Sequence, residues 1–274
     1  MRARARTSAV EGEGTLSIEA AATLDPAGLP SPPAAGAARL PVPGLIRRNT
    51  LLLTGAEAFV GTAQQMVPTL GALMVMHLTG SAVLAGIGGS ILGLSRAIVS
   101  YPSGRLADLY GRKGVLIAGL LISVAGALAL GASMIGGSFP GFLLGLLIFG
   151  IGTGTSQQQR RLSAADLYPP ERRAQGLGIV LTGSLVGAIG GPILISVAGA
   201  LAHGNGTNQI ALSWFLAPIA LLPSLALILL IRPDPREIGR NLQGYWPGYR
   251  APEASAKPRA RVTLLAFARD YPHV

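Results

Sequence analysis

Two long stretches of this chain contain no Asp, Glu, Lys or Arg at all: 46 residues over 114–159 and 58 over 174–231. A third stretch, 49–95, holds only Glu57. Soluble domains are roughly 25 % charged, whereas this chain is 12 % charged and 50 % hydrophobic, with a mean hydropathy of +0.50. Such blocks do not make a water-facing surface, and they argue against a soluble globular enzyme. A helix crosses the hydrocarbon core, roughly 30 Å thick, with about 20 apolar residues. Each block is therefore long enough for two crossings, and each carries a turn signal near its middle, at 77–81, 136–140 and 203–207. The expected fold is all-α and polytopic: three helical hairpins with six spans near 50–77, 82–101, 115–134, 141–157, 176–201 and 210–231.

The 22 Lys and Arg residues outnumber the 12 acidic ones, giving a net charge of +10. Apart from Arg96 they fall before Asn49, after Ile231, and in two islands between hairpins, around Arg105–Lys113 and Arg160–Arg173. The three turns inside the blocks have none. By the positive-inside rule both termini and both islands are cytoplasmic, so the charge reports topology and not nucleic-acid binding. Residues 1–46, rich in Ala, Pro and Gly, read as a disordered cytoplasmic tail. Residues 47–231 form the transmembrane domain, and 232–274 read as a cytoplasmic linker in which Val262–Arg269 begins an interfacial helix. The sequence has no Cys, and its three His are scattered, so neither a metal site nor a cofactor is expected. Gly150-Ile-Gly-Thr-Gly154 is not followed by the Lys-Ser/Thr of a phosphate loop.

Ionisable residues inside a span cost about 3 kcal/mol or more and mark function by default. Two fall inside the expected spans, Glu57 and Arg96, each roughly 10–12 Å deep from the basic end at 1.5 Å per residue. Antiparallel neighbours at that depth can pair. The pair is then either a structural pin or a proton site in which Glu57 is titrated under the influence of Arg96. Glu57, Gly61, Gln64, Gln65 and Pro68 share one helix face. Two amides in hydrocarbon need partners, so this face looks into the bundle or a wet cavity.

The first basic island reads Gly104-Arg-Leu-Ala-Asp108-Leu-Tyr-Gly111-Arg112-Lys113. It resembles the signature G-x-x-x-D-x-x-G-R-K/R between the second and third helices of the major facilitator superfamily, at the topological position where that family carries it. Gly104 suits a close helix approach, Gly111 a tight reversal, and Asp108 and Arg112 are spaced to pair if the turn is helical. The resemblance implies a conformational latch, in which Asp108 meets the N-terminal end of a helix from the opposite half. The fifth span holds Gly178, Gly187, Gly191 and Pro192, similar to the antiporter motif of drug–proton exporters, with Ile195 and Ser196 where that motif has two more glycines. The same pattern also suits ordinary small-residue packing between helices. The Arg that proton-coupled members often carry within the fourth span is missing from the expected span.

The resemblance covers residues 45–261 and implies a six-helix, N-terminal half of a transporter normally built of two such halves. It implies secondary active transport: export of a small hydrophobic or drug-like compound by proton antiport with alternating access. The alternatives are a sugar or nutrient uptake symporter, with the amide face of span one binding hydroxyls, and a truncated or non-transporting half protein. The implied partners are a small-molecule substrate, protons, the lipid bilayer and a second six-helix half. The implied location is the plasma (inner) membrane.

Overall fold

The computed structural model describes residues 40–250, apart from residue 82. Among the described residues six long helices follow one another: α1 (Gly44–Thr79), α2 (Ile87–Tyr110), α3 (Arg112–Ile135), α4 (Phe139–Asp166), α5 (Arg173–Asn205) and α6 (Gln209–Leu229). Two short ones come after them, α7 (Pro235–Arg240) and α8 (Leu242–Tyr245). The shortest of the six, α6, has 21 residues, about 31 Å at 1.5 Å per residue, the thickness of a bilayer core. Helices α3 to α6 are long and apolar enough to cross a membrane by length and composition. Helices α1 and α2 are more polar because they carry Glu57, Gln64, Gln65 and Arg96.

The expected turns are where the helices end. Helix α1 stops at Gly80 (φ 68°) and α5 at Gly206 (φ 64°), both in the left-handed region that glycine enters without steric cost. Ser138 caps α4 by accepting the Gly141 N–H at 3.1 Å, and Asn208 caps α6 through the Ile210 and Ala211 N–H groups. The basic ends differ from expectation. Helix α2 runs past residue 101 to Tyr110, and α4 runs past 157 to Asp166. In α4 the residues there are polar but not helix-breaking, since after Thr155 no Gly or Pro occurs before Pro169 and Gln and Arg are good helix formers, whereas α2 continues through Pro102 and Gly104.

Two seams of small residues bring helices together most closely. In the α3–α4 seam, a Cβ placed on Gly119 would lie 2.9 Å from the Ser156 nitrogen and 3.0 Å from the Gly152 oxygen. In the α1–α5 seam, a Cβ on Gly187 would lie 2.7 Å from Gly61 Cα. Lipid is as apolar as leucine, so helices in a bilayer gain by close backbone approach and not by hiding apolar surface. Helix α2 packs on α4, α3 on α6, and α6 on α1. Between them lies a core that includes Met66, Met74, Phe149, Trp214 and Leu221. Trp214 is fully buried, donates Nε1–H to Met74 Sδ at 3.0 Å, and stands edge-on to Phe149 at 5.5 Å. Outward, α5 presents Leu185, Val186, Ile189 and Ile193, and α2 presents Leu94 and Ile98, all more than half exposed.

The segment after α6 is not the linker expected from its composition. Ile238 and Trp246 are fully buried and anchor it to the basic end of the bundle. Trp246 donates Nε1–H to the Leu167 carbonyl at 3.0 Å, its ring is tilted against Tyr168 at 5.6 Å, and the Arg172 guanidinium lies over it at 5.2 Å. Arg172 also donates to the Leu40 carbonyl at 2.6 Å, and α1 starts at Gly44, so the packed part of the chain begins earlier than residue 47. The tail over 1–39 and the expected interfacial helix at Val262–Arg269 lie outside the described residues.

Candidate transport site

The charge at the heart of the bundle is Glu57, 4 % exposed, on α1. Its partner is not Arg96 but Arg160, fully buried on α4, whose Nε–H donates to Glu57 Oε2 at 2.5 Å. Arg160 belongs to the second basic island, which was expected to follow span four as a loop. The extension of α4 turns that residue inward, so the chain does carry a buried Arg on its fourth helix. Among the described residues Arg160 Nη1 and Nη2 have no hydrogen-bond partner, and neither has Ser163 Oγ, one turn further on the same face. Closer to the basic end the seam continues through Thr50 Oγ1 and Tyr168 Oη, 3.1 Å apart.

Arg96 lies half-buried on α2 and reaches the expected amide face instead. Its Nη2 donates to Gln64 Oε1 at 3.4 Å. Gln65 is exposed, with its Cβ next to Gly191 of α5. The structure thus places Glu57, Gln64 and Arg96 in two separate contacts, Glu57 with α4 and Gln64 with α2. Pro68 of the same face is exposed. Two glutamines not singled out from the sequence join α4 to α2. Gln158 Nε2 donates to the Ser100 carbonyl at 2.9 Å and Gln159 Nε2 to the Ser103 carbonyl at 3.0 Å.

The latch motif is split by the helix end. Gly111, at φ 86°, makes the reversal between α2 and α3, as its residue type implies. Because the helix breaks there, Arg112 does not pair with Asp108. It points to α4, where Nε donates to Asp166 Oδ2 at 2.9 Å and Nη1 to Gln159 Oε1 at 3.3 Å. Lys113 Nζ donates to the Leu229 and Ile231 carbonyls at the end of α6, a cation on exposed helix carbonyls. Asp108 is exposed and makes no ion pair among the described residues. Gly104 does not mediate a close approach, for a Cβ there would meet nothing within 4 Å.

The α5 motif divides in the same way. Gly187 and Gly191 sit in the α1–α5 seam, against Gly61 and Gln65, while Gly178 is exposed and touches nothing. Helix α5 continues unbroken through Pro192. Two glycines outside the motif are in the seam: a Cβ on Gly183 would run into the Thr54 carbonyl and one on Gly190 into the Thr62 hydroxyl. The signal for these was the repeat of small residues along α5 at helical spacing.

Comparison with known proteins gives the frame for these contacts. Residues 53–268 match the model of the Major Facilitator Superfamily. The chain belongs to that superfamily. The family is one of membrane transporters, and it points to transport and not to an enzyme. It is 31 % identical over 200 residues to the uncharacterized MFS-type transporter YdeG of Bacillus subtilis (strain 168), covering 73 % of this chain and 46 % of that protein. It is 27 % identical over 197 residues to the riboflavin transporter RfnT of Brucella anthropi, covering 70 % and 48 %, and 30 % identical over 122 residues to a Bacillus subtilis hexuronate transporter, covering 44 % and 28 %. A crystal structure of a bacterial homolog of the human lysosomal transporter Spinster matches with a TM-score of 0.49 at 16 % identity, over 74 % of this chain and 50 % of that one. The chain spans about half the length of the curated relatives it matches.

Proposed function

We propose that this chain forms the N-terminal six-helix half of a secondary active transporter that exports a small, fairly apolar compound in exchange for protons. The observation that carries the reading is the buried Glu57–Arg160 pair, which joins α1 to α4. Glu57 is held by one guanidinium nitrogen, and the other two are unengaged among the described residues, so Arg160 keeps donors for another acceptor. Once Glu57 is neutral, Arg160 is free to take another acceptor, and the α1–α4 seam loses its strongest tie. Gln64, Gln65 and Arg96 supply polar contacts for the compound on the neighbouring faces.

The second half comes from further residues of the same polypeptide or from a partner chain, and it covers the exposed faces of α2 and α5 and meets Asp108. Both ends of the described bundle then lie on the cytoplasmic side of the plasma (inner) membrane, where the basic residues favour them. A second reading is uptake of a hydroxyl-bearing nutrient, in which the Gln64 and Gln65 amides bind hydroxyls; the names of the riboflavin and hexuronate transporters support such a substrate.

Everted vesicles from cells expressing the gene that encodes this chain separate the two. Addition of a lipophilic cation such as ethidium is expected to dissipate an imposed pH gradient, read with an acridine dye. Riboflavin and a hexuronate are expected to leave it unchanged. Failure of every lipophilic cation to dissipate the gradient, together with entry of riboflavin or the hexuronate into right-side-out vesicles driven by an inward proton gradient, overturns export in favour of uptake.

A further inference from the structure

The turn between α2 and α3 is held from three sides, and one of the holds comes from beyond α6. Helix α3 starts at Arg112 with Gly111 before it, so it has no capping side chain of its own. The cap is supplied from 121 residues away: Asp234 Oδ2 accepts the Lys113 N–H at 3.1 Å. The other oxygen, Oδ1, accepts the Arg236 N–H at 2.9 Å and caps α7. One carboxylate thus satisfies the orphan amides of two helix starts, where negative charge is also favoured by both helix dipoles. The fit is close, for a Cβ on Gly111 would lie 2.9 Å from Asp234 Oδ2. Lys113 Nζ returns the tie by holding the Leu229 and Ile231 carbonyls just before Asp234.

We propose that Asp234 is a positioning residue for the latch turn, making the segment after α6 a moving part of the latch and not a connection between units. The proposal rests on the reading of Asp108 as a latch residue. Asp108 lies one turn before Gly111 on α2, so the direction in which it is presented is set by where α2 stops and α3 starts. Asp234 fixes that junction from the chain segment that leads onward out of this half. Displacement of the segment withdraws the carboxylate from Lys113 N–H and Arg236 N–H together. The α2–α3 turn then loses its cap at the moment the onward chain moves, which ties the latch to the position of whatever follows.

The sequence has no Cys, so single-cysteine reporters can be read in an otherwise native chain. Ala107, fully buried in the last turn of α2, and Ala198, fully buried in α5 away from the turn, are replaced by Cys in separate proteins. Loss of an N-cap shifts a local opening equilibrium about fivefold, and loss of two caps roughly twentyfold. Asp234→Ala is therefore expected to raise maleimide labelling of Ala107→Cys about tenfold or more and to leave labelling of Ala198→Cys unchanged. Asp234→Asn, with one acceptor oxygen left, is expected to give an intermediate rise. Unchanged labelling at Ala107→Cys overturns the proposal, and so does an equal rise at both reporters, which is general loosening of the bundle. Altered labelling at Ala107→Cys with transport unaltered keeps the positioning role and removes the latch reading on which it was built.

Discussion

Replacing Arg160 with Ala is expected to destabilise the protein by about 3–5 kcal/mol, the usual cost of breaking a buried ion pair from one side. Glu57, 4 % exposed, is left as a carboxylate with no counter-charge, and the α1–α4 seam loses its shortest polar contact. Thermal melting of the purified protein in detergent reads the loss. Arg161→Ala serves as the comparison, because the neighbouring guanidinium is exposed and its removal is expected to change the melting temperature little. The double variant Glu57→Gln/Arg160→Gln removes both charges and is expected to regain most of the lost stability. A melting temperature for Arg160→Ala equal to that of the wild type would mean that the pair is not buried in the folded protein.

The second large effect lies in the α1–α5 seam. Gly187→Leu puts a side chain where Gly61 Cα and the Ala58 carbonyl stand at 2.7 and 2.8 Å from the new Cβ. Both are backbone, so nothing yields except the helices themselves. Overpacking of this kind costs typically 1–3 kcal/mol, occasionally more, and here it also parts two helices that carry the site. Gly178→Ala, in the same sequence motif, is expected to be neutral or to stabilise by up to about 1 kcal/mol, since a helical Gly with open space beside it is replaced by the best helix former. Melting of the two variants side by side checks the contrast. Equal effects would mean that the motif acts as a unit and not through the seam.

The architecture was legible because charge-free blocks and turn residues are local signals. Gly80, Ser138, Gly206 and Asn208 end or begin helices at the expected turns. Glu57, Gln64 and Arg96 were legible as polar residues turned into the bundle for the same reason, that a polar group in an apolar run is costly. Their partners were not legible, because pairing depends on where helices stop and how they rotate. The charge density around Arg160 suggested a loop, but helix propensity carried α4 on to Asp166, and the extra turns brought Arg160 under Glu57. The same shift of helix ends separated Asp108 from Arg112 and gave Arg112 to Asp166. The segment after α6 misled in the opposite direction. Its Pro and Arg content reads as solvated linker, and three apolar anchors spaced along it, Ile238, Trp246 and Tyr249, fix it to the bundle.

The central claim is that the Glu57–Arg160 pair links proton movement to transport. The most direct test compares two modes of transport in vesicles carrying the wild type and Glu57→Gln/Arg160→Gln, with ethidium as the probe. Exchange of labelled for unlabelled compound at equilibrium needs alternating access but no net proton movement, whereas accumulation against a gradient needs the proton. The double variant is expected to keep exchange and to lose accumulation driven by a pH gradient. Accumulation by the double variant at the wild-type rate would contradict the account.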